Sequence, residues 1–221
     1  MNCDRIAPWY RWIEYAAFGR LLERAREYYL DGLGDRGRAL VIGAGDGRFT
    51  ARLAERFPAL AIDSVDTSRG MVALAARRAP RVRFLVSDAL RGLPSGPFDL
   101  VVTHFFLDCL DTEEVERLAG AVDAAPGARW IVTEFSIPPA GWRRARARFW
   151  IRVMYWFFGL ATGLAVRRLP AYADALGRAG FALESRKTFS AGLVTAESWR
   201  LSASSRAGTL PSPSGRLGEC P

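Results

Sequence analysis

Lysine and histidine are almost missing from this chain: Lys187 is the sole lysine and His104 the sole histidine. Cysteine is scarce too. Cys3, Cys109 and Cys220 are scattered and odd in number, with no CxxC pair and no neighbouring histidine. That pattern excludes a disulfide frame and a zinc site and fits a reducing cytoplasm. The N-terminus, MNCDRIAPWYRW, has an acid and a proline where a signal peptide needs an unbroken apolar core, so the protein is expected not to be secreted. Long apolar runs are also lacking. The uncharged stretch from Val153 to Val166 has fourteen residues and is closed by Arg167 and Arg168, too short for the ~20 residues that span a bilayer.

What remains is an arginine-rich, apolar chain of 221 residues, 50% hydrophobic, with 31 basic residues against 23 acidic and a formal net charge of +8. That length suits one well-buried core. The basic excess favours an anionic partner, whether a membrane surface, a nucleic acid or an acidic small molecule. A genome with arginine-favouring codons accounts for it equally well.

Alternating periodicities organise the chain. Trp9 to Leu30 carries apolar residues at spacings of three and four and predicts one or two amphipathic helices. Ala39 to Gly43 is a short apolar run of the buried parallel-strand type. Arg48 to Phe57 (helix), Leu60 to Asp66 (strand), Ser68 to Arg78 (helix, capped by Thr67 or Ser68) and Val82 to Val86 (strand) follow. Phe98 to Thr103 predicts a fourth strand, Asp111 to Ala125 a helix and Arg129 to Phe135 a fifth strand. After a polar helix over Pro170 to Ala179, Leu183 to Phe189 and Leu193 to Leu201 predict a hairpin turning near Ala191 and Gly192. The expected fold is α/β: a Rossmann-like, doubly wound, seven-stranded sheet, mostly parallel with an antiparallel edge strand, and helices on both faces. Residues 1–37 form an N-terminal helical cap, 38–201 the main domain with an insertion at 140–170, and 202–221 a Ser-, Gly- and Pro-rich disordered tail.

The chemistry concentrates where strands end. In Val41-Ile-Gly-Ala-Gly-Asp-Gly-Arg48, glycines at 43, 45 and 47 let the backbone turn sharply and lie against a ligand. Arg48 stands where a dinucleotide GxGxxG fingerprint needs its third glycine, which weakens a pyrophosphate reading. Asp66 ends the second strand, nineteen residues beyond Gly47, where an acid accepts from both hydroxyls of an adenosine ribose. Its competitor Asp63 lies near the start of that strand, away from the carboxyl edge. Asp88 follows the third strand, placed to accept from an adenine amino group, with Ala89 offering its backbone N–H.

The runs ALVIGAGDGRFT, SVDTSRGM, VRFLVSDAL and FDLVVTHFFLDCL resemble successive motifs of the class I S-adenosylmethionine methyltransferases over roughly residues 38 to 135. DRIAPWYRWIE and TEFSIPP are more broadly similar to the branch containing the quinone-biosynthesis C-methyltransferases. The resemblance implies S-adenosylmethionine as cofactor and no metal. The cofactor-lining residues are expected to be Gly43, Ala44, Gly45, Asp46, Gly47, Asp66, Thr67, Met71, Asp88, Ala89, His104 and Phe105, with Tyr10 from the cap. One departure stands out: the family usually carries an acid two residues before the first glycine, and this chain has Val41. The cofactor's amino-acid end is then left to backbone, water or Asp46.

If the acceptor carries an acidic proton, a general base helps remove it. His104 is the first candidate, with Asp108, four residues on, as its orienter if the intervening residues make a helical turn. Asp108 acting with Asp111 as a helix cap is the competing reading. Arg144, Arg148 and Arg152 line one helical face of 142–166, and Phe149, Val153, Trp156 and Leu160 another. The segment reads either as a substrate lid or as an interfacial helix on an anionic membrane. The leading function is methyl transfer to a small hydrophobic acceptor, such as a quinone precursor or a lipid, in the cytoplasm or peripherally at the inner membrane face. A non-catalytic cofactor-binding protein and an NAD(P)-dependent oxidoreductase are the alternatives. No nucleic-acid recognition motif accompanies the charge.

Overall fold

The computed structural model describes residues 10–34, 37–138, 140–142, 144–145, 147–148 and 170–202. Helices α1 (Tyr10–Phe18) and α2 (Leu21–Glu27) lead into β1 (Arg38–Ile42), α3 (Arg48–Arg56), β2 (Ala61–Asp66), α4 (Arg69–Arg78), β3 (Arg83–Val86) and β4 (Phe98–His104). There follow α5 (Thr112–Ala121), β5 (Ala124–Phe135), α6 (Tyr172–Arg178), β6 (Phe181–Phe189) and β7 (Val194–Leu201). The seven strands form one sheet in the order β3-β2-β1-β4-β5-β7-β6. The first five are parallel, with Val41 opposite Ser64 on one side and Val102 on the other. The hairpin occupies one edge: β7 runs antiparallel to β5, and β6 lies outermost.

The sheet is covered on both faces because its central strands place apolar residues on both. Leu40, Ile42, Val101, Trp130 and Val132 pack toward α5 and α6, meeting Val115, Leu118, Ala175 and Leu176. Ala39, Val41, Leu100, Val102 and Ile131 face the other way, toward Phe49, Leu53 and Ala54 of α3. Trp130, fully buried, satisfies its indole by donating to Thr103 Oγ1 at 3.0 Å. A third cluster seats α2 against the end of the sheet: Leu22 and Ala25 meet Phe135, Leu193 and Val194.

Two boundaries differ from the sequence reading by about a helical turn, the others by less. The fifth strand begins at Ala124, which pairs with Phe98 ahead of a register shift, and the preceding helix stops at Ala121. The sequence reading places Ala124 and Ala125 in the helix and leaves 126–128, with Pro126 and Gly127, between elements, yet the sheet absorbs all five at the irregularity. Asp111, with Glu114, forms the capping box of α5, so Asp108 is not that helix's cap. In the expected lid, Arg144 and Arg148 are exposed and Ala147 is buried on the third cluster. Residues 149–169, with the apolar run, and 203–221, with nearly all of the tail, lie outside the described residues. No helix of the described residues is long and apolar enough to cross a membrane.

Gly47 joins fold to site. It caps α3 at φ 77°, and a Cβ there would lie 2.6 Å from the Ala75 Cα of α4. Gly47→Ala is expected to cost about 2–4 kcal/mol, summing a left-handed conformation and overpacking. Urea unfolding measures it, and an unchanged midpoint would mean that α3 and α4 do not close on each other as described.

Candidate cofactor and methyl-transfer site

The carboxyl ends of β1, β2, β3 and β4 bring the glycine loop, Asp66, Asp88 and His104 to one edge of the sheet, where open α/β sheets bind ligands. The Gly43 N–H donates to the Val65 carbonyl at 2.8 Å, drawing the loop toward β2. A Cβ on Gly43 would lie 2.5 Å from the Phe106 ring, whereas one on Gly45 meets nothing within 4 Å among the described residues. The first glycine is therefore required by packing, and the second faces open space, as a cradle for a ligand needs.

Asp66 is tied to this loop. Its carboxylate accepts from Gly45 N at 2.9 Å and Ser68 N at 2.9 Å. Ser68 in turn caps α4 through its hydroxyl and the Met71 N–H. Asp63 faces elsewhere: it pairs with Arg38 at 2.7 Å and lies 3.6 Å from Arg83. Asp88, with a half-exposed carboxyl, accepts the Leu90 N–H at 3.0 Å in its own turn, and Ala89 is buried beside it. Thr67 is exposed and Met71 buried. Ala44 packs against the α3-side core. Tyr10 opens α1, and its side chain lies outside the described residues.

A string of charges links the helical N-terminus to the glycine loop, and the sequence reading missed it. Glu14 of α1, almost fully buried, accepts from Arg26 of α2 at 2.6 and 2.9 Å and lies 3.4 Å from Arg48. Arg48 reaches Asp46 at 3.0 Å, and Asp46 also pairs with Arg78 at 2.7 Å. Burial pushes the Asp46 carboxyl up, but the two arginines outweigh it and hold it below its ordinary range. Its charge is thus spent within the protein. Val41 is packed in the apolar cluster under α3. Neither spacing nor periodicity pairs arginines with acids so distant in sequence.

At the end of β4 the expected His104–Asp108 pair does not form. Among the described residues neither buried His104 ring nitrogen has a hydrogen-bond partner, and the ring meets Phe49 edge-on at 4.4 Å on the α3 face. Asp108 follows Leu107, which belongs to the core on the α5 face. Phe105, at φ 52°, turns the chain from one face to the other, so four residues of separation do not amount to a helical turn. Burial, then the charge of Arg26, hold the imidazole well below its ordinary pKa. Phe105 packs on Phe135 at 4.9 Å and under the Arg26 guanidinium at 4.9 Å.

Asp108 instead shares its surroundings with Glu134. Glu134 is 1% exposed and accepts from the Phe106 and Leu107 N–H groups at 3.0 and 2.8 Å. Burial, then the charge of Asp108, raise Glu134 well above the carboxylate range, and burial raises Asp108 to about 6. The signal in the sequence was an acid at the penultimate position of the otherwise apolar strand IVTEF.

The raised Asp108 sets a pH dependence. Between about 4, where an unfolded aspartate ionises, and about 6, the folded state keeps a proton that the unfolded state has released, so stability falls as pH rises. His104, with its depressed pKa, acts in the opposite sense below about 6.5. Comparing the protein with Asp108→Asn cancels that contribution. The variant should gain on the order of 2–3 kcal/mol relative to the native protein between pH 4 and 7 in denaturant titrations. A difference constant with pH would place the Asp108 carboxyl in solvent.

Residues 39–125 match the family model described as a methyltransferase domain. The chain is 34% identical to a demethylmenaquinone methyltransferase of Thermus thermophilus over 78% of its own length and 83% of the relative's. Among solved structures it is similar to the pyocyanin biosynthetic protein PhzM, with a TM-score of 0.65 and 20% identity, covering 91% of this chain but only 62% of that one. It is similar also to a didemethyltoxoflavin N-methyltransferase of Burkholderia thailandensis with bound S-adenosylhomocysteine, with a TM-score of 0.64 and 18% identity, covering 90% of this chain and 86% of that one. With a glycine cradle, an acid at the second strand and a relative matched over most of both chains, the protein belongs to the class I S-adenosylmethionine-dependent methyltransferases.

Proposed function

We propose that the methyl acceptor is a small hydrophobic molecule of the quinone-precursor class, in its reduced, phenolic form. The observation that carries this reading is the wall beside the end of β4. Phe105, Phe135 and Phe18 cluster there, with ring centroids 4.9 and 5.5 Å apart, next to a histidine whose ring nitrogens are buried and have no partner among the described residues. Such a surface favours a flat apolar ring, and an unpartnered imidazole is satisfied by a phenolic hydroxyl. The name of the Thermus relative is consistent with this.

The bound cofactor supplies an electrophilic methyl group on a sulfonium, and transfer is an in-line displacement that requires alignment and exclusion of water. The residues divide that work. Gly43 to Gly47 underlie the amino-acid end, and Asp66, fixed by the Gly45 and Ser68 amides, accepts from the ribose hydroxyls. Asp88 and Ala89 meet the adenine. With Val41 buried and the Asp46 charge paired, the amino-acid end falls to the backbone of the loop. His104 stays neutral at pH 7 because burial and Arg26 oppose its protonation. A neutral ring does not repel a sulfonium, and its unprotonated nitrogen accepts a hydrogen bond that orients the acceptor's hydroxyl.

Asp66→Ala is expected to weaken S-adenosylhomocysteine binding about 10- to 100-fold, the cost of lost hydrogen bonds to a charged group. Asp63→Ala should leave affinity intact and lower stability instead. Calorimetric titration separates them, and equal, negligible losses in affinity would remove Asp66 from the ribose site. With a reduced naphthoquinone as acceptor, His104→Ala should slow transfer about 10²-fold at saturating cofactor with little change in S-adenosylhomocysteine affinity. Unchanged turnover would return His104 to the core, and no methylated product from the native protein would refute the acceptor class.

A further inference from the structure

Three consecutive amides after β4 are held by the last turn of β5. Phe105 N donates to the Thr133 carbonyl at 2.7 Å, and Phe106 N and Leu107 N both donate to Glu134 Oε1. The first bond continues the ordinary parallel ladder. The other two replace backbone acceptors with a side chain, just where the chain leaves the sheet. Phe105 adopts a left-handed backbone at φ 52°, a conformation disfavoured for any residue with a Cβ, so the turn does not form on local preference alone.

The held turn aims two rings. Phe106 closes on Gly43, near enough that no Cβ fits between them, and Phe105 is directed toward Arg26 and Phe135. We infer that Glu134 is a positioning residue for methyl transfer: by gripping the Phe106 and Leu107 amides it fixes the gap between the glycine loop and the aromatic wall. It touches neither cofactor nor acceptor on this reading, being 1% exposed. Glu134 needs only a neutral oxygen acceptor for this task, and its burial beside Asp108 favours the neutral carboxyl. The inference rests on the methyl slot lying between that loop and that wall.

Two variants of matched length test it. Glu134→Gln keeps an oxygen acceptor, and Glu134→Met removes it while leaving an apolar, foldable side chain. Amide hydrogen exchange at Phe106 and Leu107, read by NMR, should stay slow in Glu134→Gln and accelerate at least about 10-fold in Glu134→Met. S-adenosylhomocysteine affinity should drop about 10-fold or more in Glu134→Met and remain within about threefold of native in Glu134→Gln, the difference one hydrogen-bond acceptor makes. Equal affinity in all three proteins would overturn the inference even if exchange changed, because the turn would then not govern the slot. Equal loss in both variants would overturn it too, showing that the charge rather than the acceptor matters. Native protein that binds no S-adenosylhomocysteine, yet shows the exchange contrast, would instead refute the placement of the site.

Discussion

The contact between the Phe106 ring and the backbone of Gly43 sets the spacing between the exits of β1 and β4. β1 and β4 are neighbours in the middle of a parallel sheet, so their carboxyl ends already lie side by side. Whether those ends leave room for a ligand is decided by what each chain does on leaving its strand. β1 turns sharply through small residues, and β4 turns through a strained phenylalanine. Parallel pairing supplies proximity, and the two exits supply shape.

Much of this was legible in the sequence because periodicity reports burial. Apolar runs such as Ala39 to Ile42 and Val101 to Thr103 belong to strands covered on both faces, and their order fixed the chain's direction through the sheet. The place of Asp66 at the carboxyl end of a buried strand was legible for the same reason, but its bonds to the Gly45 and Ser68 amides were not. What stayed hidden depends on the third dimension. His104 and Asp108 are four apart, a spacing that means adjacency only in a helix, and a left-handed Phe105 sends them to opposite faces. Glu134 has nothing local within TEFSIPP to mark its role, because its partners are amides twenty-seven and twenty-eight residues away. Residues 126–128 escaped because strand pairing tolerated a proline–glycine pair that usually marks a turn, and Ala124 and Ala125 because alanine suits the end of a helix as well as a strand.

The arginine-linked chain from Glu14 to Asp46 gives the basic composition a local use. Guanidinium groups bind carboxylates with two parallel bonds and stay charged when partly buried, and Arg26 does this with Glu14 while also covering the Phe105 ring. A lysine in that place would supply one point charge. The two helices at the N-terminus are thereby fastened to the cofactor loop by charge and to the sheet by the apolar residues of α2, two attachments of different salt sensitivity.

The hairpin edge has a separate consequence. Phe135 lies opposite Val194, and the next bond outward runs from Ser136 N to the Leu193 carbonyl at 2.8 Å. The chain that leaves β5 at Phe135 re-enters the sheet at Phe181, whose partner Leu201 lies at the far end of β7, and the turn at 190–193 then brings it back beside Ser136. β7 is thereby paired on both sides, and β6 carries the outer edge. Its exposed Glu184, Arg186 and Lys187 put charge along that edge, which opposes strand-to-strand association with another molecule.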